Sequence, residues 1–435
     1  MHVGNMNNKG TQALFKSDVQ VVKELVKDAS ITVSTTDIDG VKRLGLPLKA
    51  ILSPMVDIPY ERADSMAKRL RVGRRSLRYK GLTVAMLIYM FIQIPLTLLS
   101  LMQAKIGLKT LYRNEVVDCV KNCDLVISHS DESFKETASL LPLNFTWAVT
   151  WWSMLLSRTC EILVARSFGK PVVMFPNSVG PFRTFVGRWL GRLSLNRCNC
   201  LLIRDPISYE ITEKLGIYSP MILTYDTALL FAATHKTASH EFSKPVVGVS
   251  PGMYSNSLSP NELNNYILAH SSAIDRSIEE HGLSVAFLPH YVSGFRLDDM
   301  EISKMILEKM RHKDAATIIE TNDVDEFKSI LDQMDMIITS KMHPAVLGAS
   351  GYVPILCIAY DHKQTGFFAR LNMKDCTIGI RALSSQIMFE KINHVWNNRD
   401  RISESLRNTI PLWQERVKAA IRQAMTPYVK TEKES

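Results

Sequence analysis

Short apolar runs alternate with longer amphipathic stretches along most of this chain, and that alternation constrains the fold more than any other feature. It signals an α/β protein, in which apolar strands lie under helices. In the first half the candidate strands are SITVST, CDLVISHS, KPVVMFP, CNCLLIRD and PMILTYD. Helical runs at Thr11–Lys27, Arg113–Asn122 and Arg183–Asn196 fall between them. In the second half the strands are PVVGVSP, SVAFLPH, ATIIE, DMIITS and VPILCIAY, with helices at Pro260–His281, Asp298–Arg311, Val324–Gln333 and Pro344–Ala349. The polar segment His235–Lys244 reads as a linker. The expected organisation is one domain over 1–240, a second over 241–400, and a helical tail over 401–435 able to pack back across the first. Each domain is expected to be a doubly wound parallel sheet, whose ligands sit at the carboxyl ends of the strands.

The 435 residues suffice for one or two large cores. A formal charge of +9 fits an anionic partner: a phosphorylated small molecule, a lipid surface or nucleic acid. No RNA-binding signature with interleaved aromatics and no zinc-finger spacing appears, so a nucleic-acid partner is not expected. The seven cysteines are scattered, with no paired CxxC, which points to reduced core thiols in the cytoplasm. No signal-peptide pattern opens the chain.

Gly81–Ala104 is a stretch of 24 residues without a charge, long enough to span a bilayer. Seven Lys/Arg precede it within Lys68–Lys80. A single span would place the two parts of the first domain on opposite sides of a membrane. Two other readings stand: a buried hydrophobic helix, or an interfacial helix whose basic flank lies on anionic lipid as a peripheral contact. Pro95 inside the stretch favours a broken or re-entrant element.

Polar clusters end several strands. Only Met1–Val3 precede the loop Gly4-Asn5-Met6-Asn7-Asn8-Lys9-Gly10, so either a short strand or a start further upstream is expected. That loop enters a helix at Thr11. Asn and Gly tolerate positive φ, and a helix N-terminus offers free N–H groups, so Asn5 and Asn8 are candidate contacts to an anion or a sugar. A plain strand-to-helix turn is the alternative. Asn177 and Ser178 follow the third strand. Arg204 ends the fourth beside Asp205, a potential N-cap; it is costly there unless paired with Asp205, Asp226 or a ligand carboxylate or phosphate. His290 ends a strand of the second half, where it reads as a structural hydrogen-bonder or a site residue.

The stretch Ser340-Lys341-Met342-His343-Pro344 carries most. Lys341 is a cation and His343 a titratable group. Pro344 suits a first helical turn, and the free N–H groups and helix dipole there favour an anion. Gly348 to Gly351 keep the helix slim. The fragment reads as a phosphate- or carboxylate-binding helix mouth with an acid/base beside it, and a capped βαβ unit with an incidental His has the same pattern.

The ordered set GNMNNKGTQA, PNSVGPF, IRDPIS, YDTALLF, VGVSPG, FLPH and IITSKMHPAVLGASGYVPILCIAYDHKQTGF resembles the polysaccharide pyruvyl transferases over about residues 3–370. The chain departs from the family pattern at Lys341, where Arg is usual, at Ser128–Ser133, where a Gly-rich end is common, and in NNKG of the first loop. The resemblance implies two Rossmann-like domains in a glycosyltransferase-B-like arrangement with the site in the cleft between them. It implies phosphoenolpyruvate as donor, a sugar diol of a polysaccharide or lipid-linked glycan as acceptor, a pyruvate ketal as product and released phosphate.

Such chemistry needs cations for the donor's carboxylate and phosphate, and Arg204 and Lys341 are the candidates, with Lys363 a further one. His343 is the candidate proton donor or base. Asp205 or Asp226 would orient it or a cation, or accept the sugar proton. Asn177 and Ser178 would hydrogen-bond acceptor or phosphate. No cofactor and no metal is demanded. Two competing readings are a sugar-nucleotide-dependent glycosyltransferase and an inactive scaffold binding partner enzymes. Against the first, no Asp or Glu lies between Ser340 and Tyr360 to grip a ribose.

Overall fold

A computed structural model describes residues 4, 6–58, 62–63, 66–67, 69–72, 76–136, 145–233, 242, 245–252, 259–292, 298–321 and 323–429. Asn5, the strand expected over Met1–Val3 and most of the linker His235–Lys244 lie outside the described residues. The chain divides into two compact units. The first comprises Met1–Met6, Leu14–Thr227 and Arg416–Ser435; the second comprises Asn7–Ala13 and Ala228–Glu415. The composition-based boundary was a single cut near residue 240 plus a separate tail. The division seen is at 227/228, and two long helices carry residues across it: Lys9–Leu25 begins in the second unit, and Arg399–Met425 ends in the first.

The first unit holds a two-stranded parallel pair, β1 (Thr32–Ser34) and β2 (Ala50–Leu52), and a four-stranded parallel sheet. The sheet runs β3 (Val126–Ser128), β4 (Val172–Asn177), β5 (Cys200–Ile203), β6 (Met221–Leu223) in that spatial order. All six residues of β4 are buried, as expected of a strand covered on both faces. Phe134, Leu155, Ile162, Met174, Leu201 and Ile203 share its core cluster. The strand β2 was not expected; its three residues, Ala50–Leu52, are apolar but half-buried, and the run is short.

The helix Leu77–Lys105 contains the uncharged stretch. It runs unbroken through Pro95, against the expectation of an interruption. Pro95 removes only the hydrogen bond to the Phe91 carbonyl, and Thr97 Oγ1 adds one to Gln93 O at 2.8 Å in the same turn. Among the described residues it is the one helix long and apolar enough to cross a membrane.

The second unit is a six-stranded all-parallel sheet. In sequence its strands are β7 (Val246–Ser250), β8 (Ser284–Phe287), β9 (Ala316–Ile318), β10 (Met336–Thr339), β11 (Ile355–Ala359) and β12 (Thr377–Gly379). In space they run β12-β11-β10-β7-β8-β9. Counted from β7, that is the doubly wound order 3-2-1-4-5-6, which reverses between β7 and β10. Ligands of such sheets bind where the order reverses, beyond the carboxyl ends of the two central strands. Here those ends are Ser250–Gly252 and Ser340–His343, and Thr339 pairs with Ser250 in register.

Candidate functional site

At the reversal point of the second unit, β10 hands over to the helix Met342–Ser350 with Lys341 at its N-cap position. The loops hold one another. Tyr266 OH lies 2.5 Å from Ser340 Oγ, Gln364 Nε2 donates to Ser340 O at 2.9 Å, and Thr339 Oγ1 accepts from Lys341 N at 2.9 Å. Lys341 Nζ reaches Asp299 Oδ1 at 3.1 Å, and Asp299 Oδ2 accepts from Tyr291 N at 2.8 Å. Burial pushes the Asp299 carboxyl up, and Lys341 only partly offsets it. A Cβ at Gly252 would fall 2.0 Å from Lys341 Cε, so the bare glycine backbone is what lets this side chain lie across β7's end.

The N-terminal segment completes this cluster. Asn8 bridges to Tyr291, Gln12 Oε1 accepts from Val324 N at 2.9 Å, and Lys9 Nζ donates to Pro289 O at 3.2 Å. Lys9 is buried and its ammonium sits 5.6 Å from the Phe327 ring centroid. Burial lowers its pKa; Asp299, Glu320, Glu326 and Asp323 pull the other way. Gly10 presses on His343, and a Cβ there would fall 2.2 Å from Nδ1. The His343 and His290 rings stack at 6.0 Å with 14° between planes. His290 is buried with neither ring nitrogen hydrogen-bonded. Burial, then the charges of His343, Lys341 and Lys9, hold its pKa well below the usual value, so it is neutral at pH 7. Two ammonium groups, two imidazoles and a helix N-terminus therefore converge, a constellation suited to a multiply charged anion beside a proton donor.

In the first unit the strand ends form a separate, internally bonded network. Arg204 Nη1 pairs with Asp226 Oδ2 at 2.8 Å and its Nε donates to Ser178 Oγ at 2.8 Å. Ser178 in turn donates to Asp205 Oδ2 at 2.9 Å, and Asp205 caps the helix Pro206–Lys214 through Ser208 N. Asn177 is fully buried; its amide donates to His129 O and Phe175 O and its oxygen accepts from Asp131 N. Burial alone would raise the Asp131 pKa, but Arg158, His129 and Ser133 outweigh it and hold it below the usual range. Beyond β3 stands a His–Asp pair: His129 Nδ1 is 2.8 Å from Asp18 Oδ2, and Ser130 N and Oγ donate to the same carboxylate. His129 Nε2 is buried and makes no hydrogen bond.

The residues named from sequence thus fall into two groups. His343, Lys341, His290, Lys363 and Asn8 lie in the second unit. Lys363 is buried in the first turn of the helix His362–Arg370, its N–H on the capping Asp361. Arg204, Asp205, Asp226, Asn177 and Ser178 lie in the first unit, bonded to each other and their neighbours. Lys9, Tyr266 and the pair His129–Asp18 were not singled out. Lys9 sits inside the loop Gly4–Gly10, whose sequence signal lies in its Asn and Gly backbone and in the helix N–H groups behind it. Asp18 is 111 residues from His129. One further cluster, Asp375, Cys376 and His394, could offer three ligands to a metal. Burial pushes the Cys376 thiol up to about 12, and His394 is already bonded to Asp375 at 2.8 Å.

The sequence matches the profile of the polysaccharide pyruvyl transferase family over residues 8–362. It is 23% identical over 322 residues to the amylovoran biosynthesis protein AmsJ of Erwinia amylovora, covering 70% of this chain and 73% of that one. Among solved structures it is similar to MnaA of S. aureus in complex with UDP, with a TM-score of 0.57, 13% identity, and 99% and 97% of the two chains covered. It is similar also to the UDP-GlcNAc 2-epimerase of Neisseria meningitidis bound to UDP-GlcNAc, with a TM-score of 0.54, 11% identity and 98% of each chain covered. These likenesses establish a glycosyltransferase-B-like α/β fold. The family match runs from the Asn8 loop through the strand ends of both units to His362, and so the chain belongs to the polysaccharide pyruvyl transferases.

Proposed function

We propose that this transferase moves the pyruvyl group of phosphoenolpyruvate onto two hydroxyls of a sugar in a polysaccharide or lipid-linked glycan, forming a pyruvate ketal and releasing phosphate. The observation that carries the reading is the convergence of Lys9, Lys341, His290 and His343 on the mouth of the helix Met342–Ser350. The donor bears a carboxylate and a phosphate, and those groups match the two ammonium ions and the helix N–H groups. His343 protonates C3, which leaves an oxocarbenium-like centre at C2. One sugar hydroxyl bonds to C2, phosphate leaves, and the second hydroxyl closes the ring. Of the two hydroxyl protons, one balances the proton now in the methyl group and the other leaves with phosphate.

Asp205 and Asp226 are engaged by Ser178, Ser208 and Arg204, so their roles are to hold Arg204 and the strand ends in place. No cofactor or metal enters the scheme. A cytoplasmic site of action is part of this proposal, supported by the scattered cysteines without a paired CxxC.

A sugar-nucleotide transferase is the second reading, favoured by the fold's likeness to UDP-bound proteins. Calorimetric titration of phosphoenolpyruvate against uridine and guanosine sugar nucleotides separates the two. The direct test is phosphate release from phosphoenolpyruvate over a panel of glycans and lipid extracts. His343→Ala and Lys9→Met are expected to lower that rate by about 10²-fold or more in folded protein. Near-wild-type rates in both would remove the site assignment.

A further inference from the structure

The helix Leu77–Lys105 presents its polar side to the protein and its apolar side outward. Its buried residues recur at three- and four-residue steps along one face, and they include Tyr79, Thr83, Gln93, Thr97 and Ser100. The opposite face exposes Val84, Ile88, Phe91, Ile92, Leu98 and Met102, with Phe91 64% and Met102 66% exposed. A helix packed on a soluble core and facing water has the reverse arrangement.

Its 29 residues span about 43 Å at 1.5 Å per residue, more than a bilayer core of about 30 Å. It is nevertheless held from both chain flanks at mid-length. Gln93 Oε1 accepts from Asp57 N at 2.8 Å and from Tyr112 OH at 2.9 Å, and Ser100 Oγ donates to Tyr112 O at 2.9 Å. Asp57 precedes the helix and Tyr112 follows it. A crossing helix would carry those two residues to opposite sides of the membrane, and these contacts would be lost.

The surrounding charge identifies what covers the apolar face. Between Asp64 and Glu115 the chain has ten Lys/Arg and no acidic residue. Arg69, Arg71, Arg78 and Lys80 are exposed at the helix start, and Lys105 and Lys109 at its end. Leu70, Val72, Arg78, Gly81, Leu82 and Ala85 line a groove of about 380 Å³, with one guanidinium among apolar walls. That combination fits a lipid phosphate above an acyl chain. We propose that this helix lies in the plane of an anionic bilayer, with its apolar face among the acyl chains and its basic ends on headgroup phosphates. The inference goes beyond pyruvyl transfer and does not depend on it.

Flotation of the full chain with vesicles tests it without any turnover. Binding is expected to phosphatidylcholine vesicles containing about a third phosphatidylglycerol, and to be far weaker on phosphatidylcholine alone. Neutralising Arg69, Arg71 and Arg78 as Gln should lower the partition coefficient about a hundredfold, roughly fivefold per charge. Phe91→Lys with Ile92→Lys should abolish binding, and circular dichroism melts of each variant control for folding. Absence of flotation, or flotation indifferent to both variants, would overturn the proposal. So would a dimer broken by the Lys pair without vesicle binding, which would assign the face to a second copy. Resistance to alkaline carbonate with one flank protected from protease would replace the in-plane helix by a span.

Discussion

Gly10→Ala should separate the architecture of the second unit's site from its stability. Gly10 is the second residue of the helix Lys9–Leu25, and an ideal Cβ there falls 2.2 Å from His343 Nδ1, 2.3 Å from Cγ and 2.8 Å from Cβ. Rotating the imidazole relieves the first two contacts. The third is to an atom fixed by the backbone of Met342–Ser350, so the helix mouth itself must move. Overpacking of this kind costs about 1–3 kcal/mol. Gly→Ala in a helix returns up to about 1 kcal/mol, leaving a net loss of about 0–3 kcal/mol and a folded protein. Activity should fall further, because an ångström-scale displacement of a reacting group costs about 10²-fold, or about 2.7 kcal/mol at the transition state. The assay is kcat/KM for phosphate release from phosphoenolpyruvate, paired with urea unfolding. Gly366→Ala is the control: a Cβ there meets nothing within 4 Å, so stability should rise by about 0.5–1 kcal/mol with unchanged activity. Wild-type kcat/KM in folded Gly10→Ala protein would refute the contact between the N-terminal segment and His343 as a determinant of the site.

Further outcomes follow from the same geometry. His270 is fully buried with Nδ1 2.8 Å from Tyr266 O, and burial lowers its pKa from 6.5 to about 4. Below pH 6.5 the unfolded chain binds a proton that the folded one refuses, so this residue's contribution falls by about 2 kcal/mol at pH 5 and about 3 kcal/mol at pH 4. Urea midpoints of wild type and His270→Gln at pH 7 and 5 should therefore converge as pH drops; parallel behaviour would sink the idea. Asp18→Ala removes the buried acceptor shared by His129 Nδ1, Ser130 N and Ser130 Oγ and should lower stability by about 1–3 kcal/mol in urea unfolding; an unchanged midpoint would refute that role. Arg204→Ala removes the cation that lies 2.8 Å from buried Asp226, a cost of about 3–5 kcal/mol seen as a lowered unfolding midpoint, whereas Arg204→Ala with Asp226→Ala should recover part of it.

Much of the architecture was legible. Ten apolar runs mark ten of the twelve strands among the described residues, because parallel strands covered on both faces are nearly continuous in Val, Ile and Leu. The helix Pro260–His281 was bounded by readable signals: a Ser259 capping box, Pro at its start, and Gly282 at φ +63° at its end. The strands β2 and β12 escape that reading: β2 is an apolar run of only three residues, and β12, Thr377–Gly379, has one apolar branched residue. The helix Phe145–Ser167 was also missed, since a helix apolar around most of its circumference has little periodicity to detect.

By itself, the chain's sequence determines the α/β class, the polar clusters at strand ends and the cationic helix mouth at Lys341–His343, because these depend on local pattern and on chemistry a few residues long. Only tertiary structure decides who partners whom. It sets Arg204 against Asp226, 22 residues away, His129 against Asp18, 111 away, and Lys9 beside Pro289, 280 away. Such contacts depend on which strand ends the sheet order brings together, and no local periodicity encodes that order. The uncharged helix makes the same point: its composition allowed a span, a core element or an interfacial one, and the burial of Gln93 between Asp57 and Tyr112 is what turns its apolar face outward.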